Sequence, residues 1–286
     1  MKHPLRTFEP NFEGRDFVIG DLHGSFNCLT NLLRNLKFDF KKDRMFSVGD
    51  LVDRGPDSMK CLELLKTTWF HPVLANHEQL MIDSIDEPAY KYYWDINGGG
   101  WCIPQEHPLL MELVRQLPFM ITVKLPDGKR VHIVQAELPP SSGATDEKLE
   151  DPEFIRKMAT IETESGSFLT WGRFIFAHFM QQNLQHRDKV IRTFALKFKR
   201  GEAYFNDKLS HIISGHTILH HPLTLVGQTN IDTKAYGVNK NDRASWNALT
   251  CIELKTWTFY QATHDSFRVV EPVVVNTSDI DDLGKT

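Results

Sequence analysis

Cysteine is scarce in this chain: four residues, Cys28, Cys61, Cys102 and Cys251, lie scattered among 286 with no CxxC pair. That spacing excludes a zinc knuckle and a disulfide framework, and it reads as reduced thiols in a cytoplasm. Long apolar runs are missing too. Nothing in the sequence is long and apolar enough to cross a bilayer, and the opening MKHPLRTFEPNFEGRDF lacks the apolar centre of a signal peptide, so no membrane contact is expected. There is also no excess of positive charge. With 33 Lys and Arg against 37 Asp and Glu, the formal net charge is −4, and nucleic acid is not an expected partner. The one locally basic stretch, HRDKVIRTFALKFKR at 186–200, reads as a solvated helix face. What remains is a composition that is 41% hydrophobic and 24% charged, enough for one large core or two modest ones.

The first half alternates strand-like and helix-like patterns. DFVIG precedes a segment with Leu29, Leu32, Leu33 and Leu36 at the spacing of an amphipathic helix. RMFSVG is a second strand, followed by a helix over DSMKCLELLKTTWF that Asp57 or Ser58 can cap. HPVLA and HEQLMIDSI give a third strand and a third helix. The second half is richer in strands: FMITVKLPDGKRVHIVQA reads as a hairpin about PDG, and LSHIISG, PLTLVGQTNIDT, ALTCIELKTWTFYQ and SFRVVEPVVV follow. This set predicts an α/β fold with two packed mixed sheets flanked by helices. A single domain over 1–275 is expected, with surface excursions near 141–167 and 177–208 and a frayed acidic tail at 276–286.

Three short stretches carry the chemistry: GDLHG at 20–24, GDLVDRG at 49–55 and NHE at 76–78. Each follows an apolar strand, so its polar groups emerge where loops can converge. Asp21 and His23, two apart, can aim a carboxylate and an imidazole at one ion. Asp50 can bridge two ions through its two oxygens, Asn76 offers a neutral carbonyl oxygen, and His216 in SGHT ends a further apolar run. Oxygen and nitrogen donors without thiolate suit manganese, iron or zinc. Two divalent ions about 3.5–4 Å apart are a recurrent device for phosphate ester hydrolysis. Arg54 in VDRG offers a guanidinium fork for phosphate oxygens, and Arg173 in TWGRF is a second candidate. His77 is placed to protonate a leaving oxygen, with Asp53 to orient it. The remaining histidines and Trp69, Trp94, Trp101 and Trp257 read as packing or surface residues.

These stretches, in this order and with the later GHT, resemble the phosphoprotein phosphatase family of metal-dependent Ser/Thr phosphatases, most of all its bacteriophage lambda-type branch. The similarity runs from about Gly14 to about Gln261. It implies a fold of two mixed sheets flanked by helices in an α/β/β/α arrangement. It also implies hydrolysis of a phosphoprotein or small phosphoester by in-line attack of metal-bound hydroxide, with manganese the favoured ion. One ion would be held by Asp21, His23 and Asp50, and the second by Asp50, Asn76, His216 and the residue that ends the VHIVQAE strand. Arg54 and Arg173 would bind phosphate, and His77 with Asp53 would serve as general acid. Two alternatives stay open: hydrolysis of a dinucleoside polyphosphate or another nucleotide, and a phosphatase-like protein that binds phosphorylated ligands with little turnover.

The sequence departs from that pattern at three positions. Gln135 stands where the family has a histidine ligand of the second metal, a neutral donor that is weaker toward transition metals. His132, an odd offset away on the same strand, belongs to the opposite face and cannot replace it. Ala75 and Lys234 stand where the family has glycine, and either strains a loop near the metals if its position needs positive φ or close backbone approach.

Overall fold

A computed structural model describes residues 3–87, 89–139, 142–180, 187–200, 208–239 and 246–282. The central strands are buried along nearly their whole length, and the strands sort into two sheets. One sheet runs in the order β1 (Leu5–Phe8), β5 (Met120–Lys124), β6 (Arg130–Val134), β9 (His211–Ser214), β11 (Gln228–Asn230), β10 (Leu223–Leu225) and β15 (Val273–Val275). The other runs β14 (Phe267–Val270), β13 (Thr258–Ala262), β12 (Leu249–Glu253), β2 (Asp16–Ile19), β3 (Arg44–Ser47) and β4 (Phe70–Pro72). A separate two-stranded ribbon joins β7 (Glu162–Thr163) to β8 (Gly166–Ser167). Both large sheets mix parallel and antiparallel pairs, as expected from the sequence.

Each strand sends alternate residues to opposite faces. In β2, Val18 joins Phe46, Val48, Ile121, Ile133, Ile213 and Ile252 in the apolar layer between the sheets. Its neighbours Phe17 and Ile19 pack outward with Leu29, Leu32 and Leu36 of α1 (Phe26–Leu36) and Cys61 and Leu62 of α2 (Ser58–Glu63). The same outer layer takes α3 (Asn76–Asp86), Trp94 of α4 (Ala89–Ile96), and Leu110, Met111 and Val114 of α5 (Pro108–Arg115). Against the outer face of the other sheet, Met120, Val134 and Ile212 pack with α6 (Asp146–Leu149), α7 (Pro152–Ala159) and α8 (Phe168–Trp171). Leu223, Leu225 and Val275 pack with Val190 and Phe194 of α9 (Arg187–Lys199). The layers are therefore helix, sheet, sheet, helix.

Several elements differ from the sequence reading in detail. The second helix is shorter than 57–70: it tightens to a 3₁₀ turn at Leu64–Lys66, and Phe70 leaves it to pair with Met45. The polar excursion after Pro139 contains α6, α7 and the β7–β8 ribbon. The basic stretch forms α9, which buries Val190, Ile191, Phe194 and Ala195, while His186 lies outside the described residues. In the acidic tail, Thr277–Asp282 forms a short helix, α10.

Strands β2, β3 and β4 run parallel in one sheet, and β6, β9 and β11 run parallel in the other. The loops leaving their C-terminal ends carry Asp21, Asp50, Asn76, Gln135, His216 and Asp232, three from each sheet. Outside such strand ends is where α/β sheets collect ligand-binding groups. The layer between the sheets holds the two sets in register. Phe46 is fully buried there, with Phe8 edge-on at 5.0 Å. Truncation by Phe46→Ala is expected to cost about 3–5 kcal/mol. Urea unfolding would measure it, and a loss under about 1 kcal/mol would mean that the sheets close over the gap.

Candidate active site

The loop after β3 is held from below. Glu78, fully buried in the first turn of α3, accepts the backbone N–H groups of Asp50 (3.1 Å), Leu51 (2.8 Å) and Val52 (3.3 Å). Burial, and after it the Asp50 charge, pushes the Glu78 carboxyl well above the usual carboxylate range. The loop needs this support because Asp50 (φ 48), Asp53 (φ 71) and Arg54 (φ 65) all occupy the left-handed region. His23 (φ 43), His216 (φ 65) and Lys234 (φ 58) do the same nearby. Non-glycine residues held this way cost about 1–3 kcal/mol each and persist where surrounding contacts over-determine them.

These loops bring the sequence candidates together. His23 Nδ1 bonds the Val52 carbonyl at 2.8 Å, which directs Nε2 toward Asp50 Oδ2 at 3.4 Å. His23, Asp50 and His77 each offer a ligand atom within 4.8 Å of the others. Asp21 accepts the His216 N–H at 3.0 and 3.1 Å, and its carboxylate lies so close to Gly215 that a Cβ there would sit 1.9 Å from Oδ1. Burial raises the Asp21 carboxyl well above its ordinary value, and the charges of Asp232 and Asp50 push it the same way. Burial also carries Asp232 up to about 6. Buried carboxylates crowded in this way call for cationic partners.

Donor atoms for such partners are in place. Four buried side-chain atoms here have no hydrogen-bond partner among the described residues: Asn76 Oδ1, His77 Nε2, Gln135 Oε1 and His216 Nε2. Buried polar atoms are rarely left unpaired, so four orphans in one cleft mark positions where a ligand completes the bonding. The set fits divalent ions: carboxylate, amide oxygen and imidazole, without thiolate. His132 points away, as its offset predicts, with Nδ1 on Thr122 Oγ1 at 2.9 Å.

His77 forms the shortest polar pair of the site. Its Nδ1 meets Asp53 Oδ2 at 2.6 Å, and both residues are fully buried. Asp53 Oδ1 accepts two indole N–H groups, from Trp94 at 3.1 Å and Trp101 at 2.7 Å. Two tryptophans read as packing therefore have a polar task as well. The NGGG run between them is both a helix stop and a wall of the site. Gly98 and Gly99 donate to carbonyls of the last turn of α4, while the Gly98 carbonyl accepts the Arg54 N–H at 3.3 Å.

The two arginines come from different segments, Arg54 from the loop after β3 and Arg173 from the chain after α8. Arg54 Nη1 lies 2.8 Å from His23 Nε2, and its guanidinium lies 5.2 Å over the ring of Tyr236, which is edge-on to His23. One lone pair on Nε2 cannot serve Arg54 and an ion at once, so a ligand role for His23 requires Arg54 to swing outward. Arg173 donates through Nη2 to the His216 carbonyl at 3.3 Å. Its segment is fixed by a second buried glutamate: Glu137 accepts the N–H groups of Phe174 (2.8 Å), Ile175 (2.8 Å) and Phe176 (2.9 Å).

The three departures have different outcomes. Ala75 is extended (φ −113) and fully buried, so its backbone needs no glycine. Lys234 does occupy positive φ, with its N–H on Asp232 Oδ1 at 2.9 Å. Gln135 is fully buried with its Nε2 3.3 Å from Asp21 Oδ2.

Residues 17–219 match the calcineurin-like phosphoesterase family. The chain is 33% identical over 168 residues to Serine/threonine-protein phosphatase 1 of Salmonella typhimurium, covering 57% of this chain and 77% of that one. It is 31% identical over 179 residues to Serine/threonine-protein phosphatase 2 of Escherichia coli, covering 59% and 81%. In fold it is similar to the crystal structure of a putative diadenosine tetraphosphatase, with a TM-score of 0.56 at 18% identity, covering 94% of this chain and 98% of that one.

Burial pushes the Glu137 carboxyl from an ordinary 4.5 up to about 7, against the downward pull of its three N–H donors. The folded chain then keeps a proton that the unfolded chain releases between those values, so this group's contribution to stability falls as pH rises across that window. Chemical unfolding at about pH 5 and about pH 8 is expected to show the parent losing stability relative to Glu137→Gln. An unchanged difference would mean that the carboxyl does not titrate in that range. With its strand-end carboxylates and imidazoles, its paired arginines and the family match, the chain belongs to the calcineurin-like phosphoesterases, metal-dependent hydrolases of phosphate esters.

Proposed function

We propose that this chain is a phosphomonoesterase of the Ser/Thr protein phosphatase type, acting on phosphorylated side chains of cytoplasmic proteins. The observation that carries this reading is the buried His77–Asp53 pair, its free Nε2 facing the same cleft as the orphaned ligand atoms. Asp21, His23 and Asp50 would hold one divalent ion, and Asp50, Asn76, Gln135 and His216 a second, with manganese the favoured metal. When bound, the ions supply Lewis acidity and lower the pKa of water.

The chain's own residues provide the remaining work. Arg54 and Arg173 bind the phosphate oxygens from two sides, each with a planar fork that an ammonium lacks. Their reach is limited, since Arg54 is tied through its backbone to Gly98 and Arg173 through its side chain to the His216 carbonyl. His77 gives a proton from Nε2 to the departing oxygen. Asp53 holds the other ring nitrogen and compensates the charge of the protonated ring, and the two indoles keep Asp53 from turning away.

The decisive experiment compares turnover of a phosphoserine peptide, 4-nitrophenyl phosphate and a dinucleoside tetraphosphate as manganese is varied. Manganese-dependent turnover of the first two is expected. Turnover of the dinucleotide alone, or tight peptide binding with no turnover, would overturn the reading. The proton-donor role has its own test. His77→Asn is expected to lower kcat on the peptide by about 10²–10⁴-fold, and to lower it less on the aryl phosphate, whose leaving group departs readily as an anion. Equal losses on both substrates would assign His77 elsewhere.

A further inference from the structure

Gln135 ends β6 with a side chain that serves two places at once. Its backbone is fixed, since its carbonyl accepts the Gly215 N–H at 2.9 Å. Its amide nitrogen donates to Asp21 Oδ2 at 3.3 Å, which orients the amide plane, and Oε1 lies beside Gly49. There Oε1 is fully buried with no partner, as are Asn76 Oδ1 and His216 Nε2. It passes against the backbone of Gly49, where a Cβ would stand 3.0 Å from Oε1 and 2.5 Å from the Ala75 methyl. The amide oxygen therefore sits in a fitted slot beside Gly49, next in the chain to Asp50.

The donor chemistry on the two sides of Asp50 is unequal. Asp21, His23 and Asp50 offer two carboxylates and an imidazole. Asp50, Asn76, Gln135 and His216 offer a carboxylate, two neutral amide oxygens and a single imidazole. Carbonyl and carboxylate oxygens suit manganese and magnesium, whereas zinc gains most from nitrogen and sulfur. From this we infer that Gln135 makes the second cation position weaker than the first and selects there for oxygen-preferring divalent ions, reducing the advantage zinc ordinarily holds over manganese. The inference rests on the two-ion reading above. Because Gln135 also donates to Asp21, it links the two positions: an ion that fixes Asp21 also fixes the amide whose oxygen meets the second ion.

The test is direct binding rather than activity. The full chain, stripped with a chelator, is titrated calorimetrically with manganese alone and with zinc alone. Ions per chain are counted by elemental analysis, and a coupled manganese pair is sought by electron paramagnetic resonance. Two manganese ions are expected, the second more weakly bound. Gln135→His is expected to raise zinc affinity relative to manganese at the second position by about 10-fold or more. Gln135→Leu is expected to leave one ion and remove the pair signal. If that variant does not fold, Gln135→Glu, which keeps the shape and adds charge, is expected to tighten manganese. An unchanged zinc-to-manganese ratio in Gln135→His, or two ions bound with parental affinity in Gln135→Leu, would overturn the inference while leaving the two-ion reading intact. A parent chain that binds no second ion would remove both.

Discussion

Three backbone N–H groups, those of Asp50, Leu51 and Val52, converge on the buried carboxylate of Glu78, and the shape of the 49–55 loop depends on that convergence. Without it, a run of non-glycine residues at positive φ would relax toward ordinary backbone conformations. Asp50, Asp53 and Arg54 would then lose their common aim. Glu78 follows Asn76 and His77 directly, so one turn of helix supplies an unpartnered amide oxygen, an imidazole and the support of the facing loop. The cost of burying the carboxyl group is reduced, though not cancelled, by the donors it collects, an exchange that holds only while the loop keeps this one conformation.

The opposite sheet repeats the arrangement with different residues. Glu137, just past Gln135, gathers the N–H groups of Phe174, Ile175 and Phe176 and so fixes the chain beside Arg173. Each arginine in the cleft thus stands next to backbone organised by a buried glutamate from elsewhere in the chain. Neither glutamate takes up a guanidinium group: both bind backbone amides, and the arginines turn instead to His23 Nε2 and the His216 carbonyl.

Much of this was legible in the sequence, for a specific reason. The residues that end the strands are polar groups following short apolar runs, and both halves of that pattern are local. Asp21, His23, Asp50, Asn76 and His216 could therefore be read in order. Asp232 lies two residues past β11, but that strand reads Gln-Thr-Asn, so no apolar run marks its end in the sequence. Glu78, Glu137, Trp94 and Trp101 were not legible in their roles, because each acts across a distance in sequence. Glu78 reaches back 28 residues to Asp50, and Trp101 reaches 48 to Asp53. A tryptophan that packs and a tryptophan that packs while donating to a buried carboxylate look alike in one sequence. Ala75 illustrates the converse: absence of a family glycine suggested strain, yet the extended backbone there removes one ground for it, a positive φ.

Because the cleft draws three strand ends from each sheet, the protein works as a caliper. Val18, Phe46, Ile133, Ile213 and their neighbours form the spacer between its jaws, beneath the tips where Asp21 meets Gln135 and His216 directly. Sheets packed face to face are separated by about 10 Å of side chains, and a methylene group gained or lost in such a close-packed layer is felt. Apolar residues that never touch a ligand therefore act as a mechanical gauge for the cleft. Evolution can tune the reach between the two jaws by trading valine for isoleucine far from any charged group.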